Sequence, residues 1–350
     1  MTNAAIEGDW ALPSRFARAG LVLALAMAAP ALAQAQVSFA GKQIRLIVPA
    51  GSGASGYGLY GQLAANHLGR SIPGTPTVVI SYMPGAAGLA AMNYLYEIAP
   101  RDGTVIAVMS QDLATDQARG RKGVRYDATR FNYIGRVTTN VPVHMVWHTA
   151  KARSIGELKQ HEVITGAVGS GGTHADLPLA QNALIGTKWK VVGGYPGGND
   201  VRIAMERGEV QAAIAPATLF NDMLKPLLDA GTVIVVAQYA DFRHHALPAV
   251  PAIVEAAETP EAKSVLGFLV SLATLGRAYA APPGVAREIV GVLRKAFLAM
   301  LDDPAFKTEA VKLGADVVPL SGEDLAAHVA DVIATPAATI RRTNEVLEQK

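Results

Sequence analysis

Short β-branched runs alternate with helix-length stretches along most of this chain, and that alternation constrains its fold more than any other feature. Apolar runs at Ile44–Val48, Val78–Ile80, Val105–Met109, Val143–Trp147, Val163–Val168, Val210–Ile214 and Val233–Ala237 read as strands. Most are separated by segments long enough for a helix, such as Leu59–Leu68. This order of elements predicts an α/β architecture with mostly parallel sheets. The last hundred residues change character. Val285, Ile289, Leu293, Phe297 and Met300 recur at near-helical spacing after Pro282-Pro283. Asp303 and Pro304 open a second helix that Gly314 stops, and the S-x-x-D of Ser321–Asp324 caps a third. These three closing helices are expected to be scaffold.

The N-terminus carries a different signal. Arg15 and Arg18 precede an apolar run from Gly20 to Ala29, and Ala31-Leu32-Ala33 and Ala33-Gln34-Ala35 both have the A-x-A form of a cleavage site. The apolar run is well short of the ~20 residues that span a bilayer. Residues 1–35 are therefore expected to be a secretory signal peptide, leaving no stable membrane insertion after cleavage. The 350 residues contain no cysteine, which excludes a disulfide framework, a thiol nucleophile and Cys-ligated metal. Export without disulfides fits a bacterial periplasm. A net charge of +2 from 31 basic and 29 acidic residues gives no field that would hold nucleic acid.

Gly51-Ser52-Gly53-Ala54-Ser55-Gly56 follows the first strand and formally matches G-x-G-x-x-G. A dinucleotide site also needs an acidic residue at the end of the second strand, and Val78–Ile80 runs into Ser81-Tyr82-Met83-Pro84 instead. The surviving reading is more general. Small residues at a helix N-terminus offer unpaired N–H groups and the positive end of the helix dipole to an anion. Two further loops share this character: Gly169-Ser170-Gly171-Gly172-Thr173-His174 and Tyr195-Pro196-Gly197-Gly198-Asn199-Asp200. Together they suggest a polar cleft between sheet ends. The chain has no G-x-S-x-G. A hydrolytic alternative would rest on Ser170 and His174, and a third alternative is an interaction protein without a small ligand. His144 and His148 on one strand lie about 13 Å apart, too far to share an ion. His244-His245 reads as a solvated pair, so no metal or other cofactor is expected.

Several segments, in order, resemble the solute-binding receptors of tripartite tricarboxylate transporters, the Bug-type proteins. They are I-R-L-I-V-P at 44–49, M-P-G-A-A-G at 83–88, A-P-R-D-G-T at 99–104, G-S-G-G-T at 169–173, Y-P-G-G at 195–198, R-G-E-V at 207–210, L-P-A-V-P at 247–251, A-P-P-G-V at 281–285 and K-L-G-A at 312–315. The resemblance implies a type II periplasmic-binding-protein fold with a ligand cleft between two lobes. Lobe 1 would comprise 36–142 and 241–350, and lobe 2 would comprise 143–240. It further implies a non-catalytic receptor for a small organic acid, serving uptake through membrane permease subunits or sensing. Carried over by position, the cleft would be lined by Ser52, Ser55, Tyr57, Ser110 and Gln111 on one side. Ser170, Gly171, Thr173, Tyr195, Gly198, Asn199, Asp200 and, near them, Pro216–Thr218 would face these. Tyr57 stands where the family's first loop usually ends in Asp, and Pro196 replaces a lysine. Ser81-Tyr82-Met83 replaces an asparagine-arginine, so the cleft is expected to be less charged than usual.

Overall fold

A computed structural model describes residues 37–51, 56–168, 172–218 and 224–348 of the chain. The expected signal peptide lies outside the described residues, as do Ser52, Ser55, Ser170 and Gly171 of the expected site.

In chain order the strands are β1 (Gln43–Val48), β2 (Thr77–Tyr82), β3 (Val105–Val108), β4 (Asn132–Arg136), β5 (Pro142–Trp147), β6 (Val163–Val168), β7 (Trp189–Tyr195), β8 (Ala212–Pro216), β9 (Val233–Gln238), β10 (Ala278–Ala281) and β11 (Leu320–Ser321). The helices are α1 (Gly56–Ser71), α2 (Leu89–Glu97), α3 (Leu113–Ala118), α4 (Ile155–Leu158), α5 (Thr173–Ile185), α6 (Gly198–Glu206), α7 (Lys225–Asp229), α8 (Pro260–Val270), α9 (Leu272–Leu275), α10 (Arg287–Asp302), α11 (Pro304–Lys312), α12 (Gly322–Ile333) and α13 (Ala337–Glu348). None is long and apolar enough to cross a membrane.

The strands form two sheets, one per lobe, ordered β11-β4-β10-β3-β1-β2 and β7-β6-β8-β5-β9. Both are mixed rather than mostly parallel. β1 pairs parallel with β2 and β3, and β6 parallel with β7 and β8. These are strands joined through helices, as a parallel crossover requires. β10 and β4, by contrast, run antiparallel to their neighbours in the first sheet, and β5 does so in the second. These antiparallel strands adjoin the segments where the chain changes lobe, entering each sheet from the opposite direction.

Two such segments lie side by side. Val137–Val141 leaves the first sheet for the second, and Ser271–Arg277 returns. The Val137 N–H donates to the Arg277 carbonyl (3.1 Å), the Arg277 N–H to that of Thr138 (2.9 Å), and the Asn140 N–H to that of Ala273 (3.0 Å). Gly276 makes the approach possible. Its φ is +48°, and an added Cβ would lie 2.2 Å from the Thr138 carbonyl oxygen. No side chain fits there without moving backbone.

One buried cluster unites Ile47, Ala107 and Met109 with α2 and with Leu325 and Val329 of α12. In the second lobe, Val143 and Met145 pack with Val201 and Met205 of α6. Helices α8 and α13 come from the stretch expected in lobe 1, yet they share a buried cluster with Leu177 and Ala180 of α5: Val265 and Leu266 from one, Val346 and Leu347 from the other. Helix α13 therefore packs against the second lobe. The C-terminal region holds four helices, α10–α13, where the sequence pattern marks three. The expected caps are present, with the Asp303 carboxylate accepting the Ala305 N–H (2.8 Å) and the Ser321 hydroxyl the Asp324 N–H (3.0 Å).

Candidate functional site

Three expected residues of the first lobe come together at the C-terminal ends of β1 and β3. Tyr57 stands in the first turn of α1, and its hydroxyl accepts the backbone N–H of Gln111 (3.0 Å). Burial pushes that hydroxyl up, while the Arg277 guanidinium pulls it down and Asp112 pushes it further up; hydrogen bonds from the Gln111 N–H and the Ser110 side chain also hold it down. The contact fastens the start of α1 to the segment after β3. Ser110 beside it is buried.

Two residues that sequence reasoning missed complete this group. Arg277, from the returning crossing, is only 6% exposed, and its guanidinium carbon lies 4.4 Å from the centroid of the Tyr57 ring. Its Nη1 donates to Gln111 Oε1 (3.3 Å) and its Nη2 to Asn140 Oδ1 (3.0 Å). Asn140, from the outgoing crossing, donates through Nδ2 to the same Gln111 oxygen (2.5 Å). A Cβ on Gly56 would meet Arg277 Nη2 at 2.6 Å, so glycine at the start of α1 leaves the guanidinium its place. No motif marks either residue. They meet only because the two crossings run together.

The second-lobe residues gather at the ends of β6 and β7. Thr173 opens α5, and Gly172 before it has φ +83°. Gly198 stands beside His174, whose Cε1 an added Cβ on Gly198 would meet at 3.7 Å. The N-terminus of α6 thus adjoins that of α5, bringing Thr173 near Tyr195, Gly198, Asn199 and Asp200. Tyr195 is half-buried, and the other three of that loop are exposed. Asn199 is turned along its own helix, where its Oδ1 accepts from Arg202 Nη2 (2.9 Å). Thr218 follows Ala217, whose N–H donates to the Val141 carbonyl (2.8 Å), so it lies by the outgoing crossing.

Of the residues in these two groups, Thr173 also lines a cavity between the segment after β3 and the start of α5. This cavity of about 690 Å³ is lined by Asp112, Thr115, Asp116, Arg119 and Arg121 from the post-β3 segment and by Gly172, Thr173, Asp176 and Leu177 from the start of α5. Leu269, Leu272, Asn344, Leu347 and Glu348 close it. This size suits a small organic ligand. Arg119 Nη1 reaches Asp176 Oδ2 across the lobes (3.6 Å), and Arg121 pairs with Asp116 (2.6 Å). Asp112 is pushed up to about 7, first by burial and then by the charge of Asp116, with Asp176 adding to it against Arg121 and Arg119.

His144, His244 and His245 are held by hydrogen bonds. His144 is fully buried in β5 between Tyr239 OH (2.7 Å) and Thr165 Oγ1 (2.9 Å), and it stacks on Trp189 with centroids 3.7 Å apart. Burial holds it neutral, its pKa well below the usual histidine value. His244 is not solvated as expected: it is 2% exposed and contacts Asp316 Oδ2 at 3.2 Å, while His245 is exposed and contacts the same oxygen at 3.0 Å. Among the described residues this trio alone brings three ligand-type atoms within 4.8 Å of one another. His244 Nδ1 accepts the Ala246 N–H (3.2 Å), which leaves the ring hydrogen on Nε2, directed at Asp316. That tautomer makes a hydrogen bond where a metal would need a lone pair.

Over residues 62–344 the chain matches the family described as the tripartite tricarboxylate transporter family receptor. The chain belongs to that family. Among solved structures, the receptor is similar to a TctC solute-binding protein from Polaromonas, with a TM-score of 0.64, 19% identity, and coverage of 87% of this chain and 100% of that one. It is also similar to MatC from Rhodopseudomonas palustris with bound malate, at TM-score 0.60 and 19% identity over 87% and 99% of the two chains. An R. palustris protein solved with adipate gives TM-score 0.60 and 23% identity over 87% and 97%. At these identities the likeness establishes the two-lobed receptor fold. Comparison with curated protein sequences gives no significant match.

Proposed function

We propose that this receptor is exported to the periplasm, closes its lobes around a small carboxylate-bearing organic molecule, and presents it unaltered to membrane permease subunits of a tripartite transporter or to a sensor. The cavity of about 690 Å³ between the post-β3 segment and the start of α5 carries this reading, because each lobe supplies part of its wall. Closure needs a flexible joint, and the paired crossings at Val137–Asn140 and Ala273–Arg277 are the kind of short segment that absorbs such a motion. The helix starts at Gly56 and Thr173 supply N–H groups suited to an anion. Malate and adipate in the two R. palustris structures support a carboxylate ligand. The contacting residues expected in this reading are Ser52, Ser55, Tyr57, Ser110 and Gln111 on one lobe, with Ser170, Gly171, Thr173 and Tyr195 on the other; of those described, Thr173 lines that cavity, and Gln111 adjoins it through its neighbour Asp112.

A thermal-shift screen of the mature protein against carboxylates, amino acids and aromatic acids tests the proposal. A ligand present at about a hundred times its Kd adds roughly 2.7 kcal/mol of stability. Saturable stabilisation with the ligand recovered unchanged is expected. Conversion of the ligand to product, lost on substitution of His174, would replace the receptor reading with the hydrolytic one.

A further inference from the structure

Arg277 presents a problem that the protein alone does not solve. A buried guanidinium is costly unless an opposite charge and full hydrogen bonding compensate it. Among the described residues no carboxylate stands within ion-pair distance of Arg277. Its two hydrogen bonds among the described residues go to the neutral amide oxygens of Gln111 and Asn140, which use two of its five N–H donors. The Tyr57 ring covers the group at 4.4 Å, and the guanidinium packs against Gly56 at the start of α1, where an added Cβ would meet Nη2 at 2.6 Å. A guanidinium held between neutral oxygens and an aromatic face, with donors that no described residue takes up, is prepared to receive a planar anion through paired N–H···O bonds.

The surroundings limit what else that anion can carry. Asp112 follows Gln111 directly, and its charge acts on the Tyr57 hydroxyl. It opens the cavity wall, where Asp112, Asp116, Asp176 and Glu348 face only Arg119 and Arg121 as basic groups. Both arginines already have acidic partners there, Asp176 and Asp116. Arg277 does not itself line that cavity, but the Gln111 that holds it is the neighbour of Asp112, so a ligand on the guanidinium that reaches past Gln111 with a second carboxylate would meet like charge.

Resting on the receptor reading, we propose that Arg277 pairs with the ligand's carboxylate and that the site selects monocarboxylates, with an uncharged or hydrogen-bond-donating remainder, over dicarboxylates.

The test compares wild type with Arg277→Gln and Arg277→Lys by calorimetric titration and by the thermal midpoint of the free protein. The probes are matched pairs, hexanoate with adipate and benzoate with phthalate, together with hexanamide and benzamide as uncharged controls. Wild type should bind a monocarboxylate at least tenfold more tightly than its dicarboxylate partner and should not bind the amides. Arg277→Gln should lose at least a hundredfold in affinity while its free midpoint stays level or rises, since an uncompensated charge has been removed. Arg277→Lys should retain part of the affinity, having the charge without the fork. As a second route, Gly56→Ala should crowd the guanidinium and weaken binding by about tenfold with the same free midpoint. Affinity in Arg277→Gln within threefold of wild type would overturn the role of Arg277 while leaving the receptor reading intact. A lowered free midpoint with unchanged ligand affinity would make the residue structural. Tighter binding of the dicarboxylate would overturn the selectivity. Absence of binding by wild type to these probes and to the wider screen would overturn the receptor reading itself.

Discussion

Replacing Asp112 with asparagine should stabilise the ligand-free protein above neutral pH and leave it little changed near pH 4. The carboxyl is pushed up to about 7 in the fold from its ordinary value of 3.8, because burial and the charge of Asp116 oppose its ionisation. The folded state therefore holds a proton that the unfolded chain has already released between those values. Stability contributed by this group is present below about pH 4 and declines as pH rises towards 7. The full difference corresponds to about 4 kcal/mol at one pKa step per ~1.4 kcal/mol. Asp112 is only half-buried, and water at the carboxyl reduces the penalty, so about 2 kcal/mol is the working expectation. Urea unfolding of both proteins at pH 4, 5, 6, 7 and 8 measures it. The stability difference should open from near zero at pH 4 to about 2 kcal/mol in favour of the asparagine variant at pH 8. Parallel pH profiles, or a less stable variant at pH 8, would refute the reasoning.

Other consequences are simpler to check. Gly276→Ala should cost roughly 2–4 kcal/mol in chemical denaturation, because its φ of +48° and the Thr138 carbonyl at 2.2 Å leave no relaxed position for a methyl group. His144→Ala should destabilise by about 3 kcal/mol, removing the stack on Trp189 and the bonds to Tyr239 and Thr165, with ligand affinity unchanged once the protein is folded. Ser170→Trp should abolish binding in a calorimetric titration while circular dichroism and thermal midpoint stay as in wild type; unaltered affinity would remove that loop from the site.

Much of the scaffold is legible in the sequence. The β-branched runs locate β1, β2, β3, β5, β6 and β9 closely; in β3 and β9, buried at nearly every position, both faces call for such residues. The run at Val210–Ile214 is displaced, with β8 at Ala212–Pro216. β10 is concealed by its composition, Ala-Tyr-Ala-Ala, which has no strand pattern and forms a ladder only because β3 and β4 flank it. β4 and β7 carry glycine and polar residues and give equally little signal. In the site, Tyr57 and Gln111, two of the positions expected from the resemblance, are in contact with each other. Asn140 and Arg277 were not legible. They stand 137 residues apart and meet through the hydrogen-bonded crossings, a tertiary fact with no local mark. The packing of α13 on α5 is of the same kind, since an amphipathic stripe shows that a face is buried and not which lobe buries it.

The central claim is that the two lobes close on a carboxylate. Small-angle scattering of the mature protein, titrated with the acid that stabilises it most and with the corresponding amide, tests this directly. The account predicts a saturable decrease in radius of gyration with the acid, at the concentration that gives half-maximal thermal stabilisation, and no change with the amide. An equal decrease with both compounds, or no decrease at saturating acid, would contradict it.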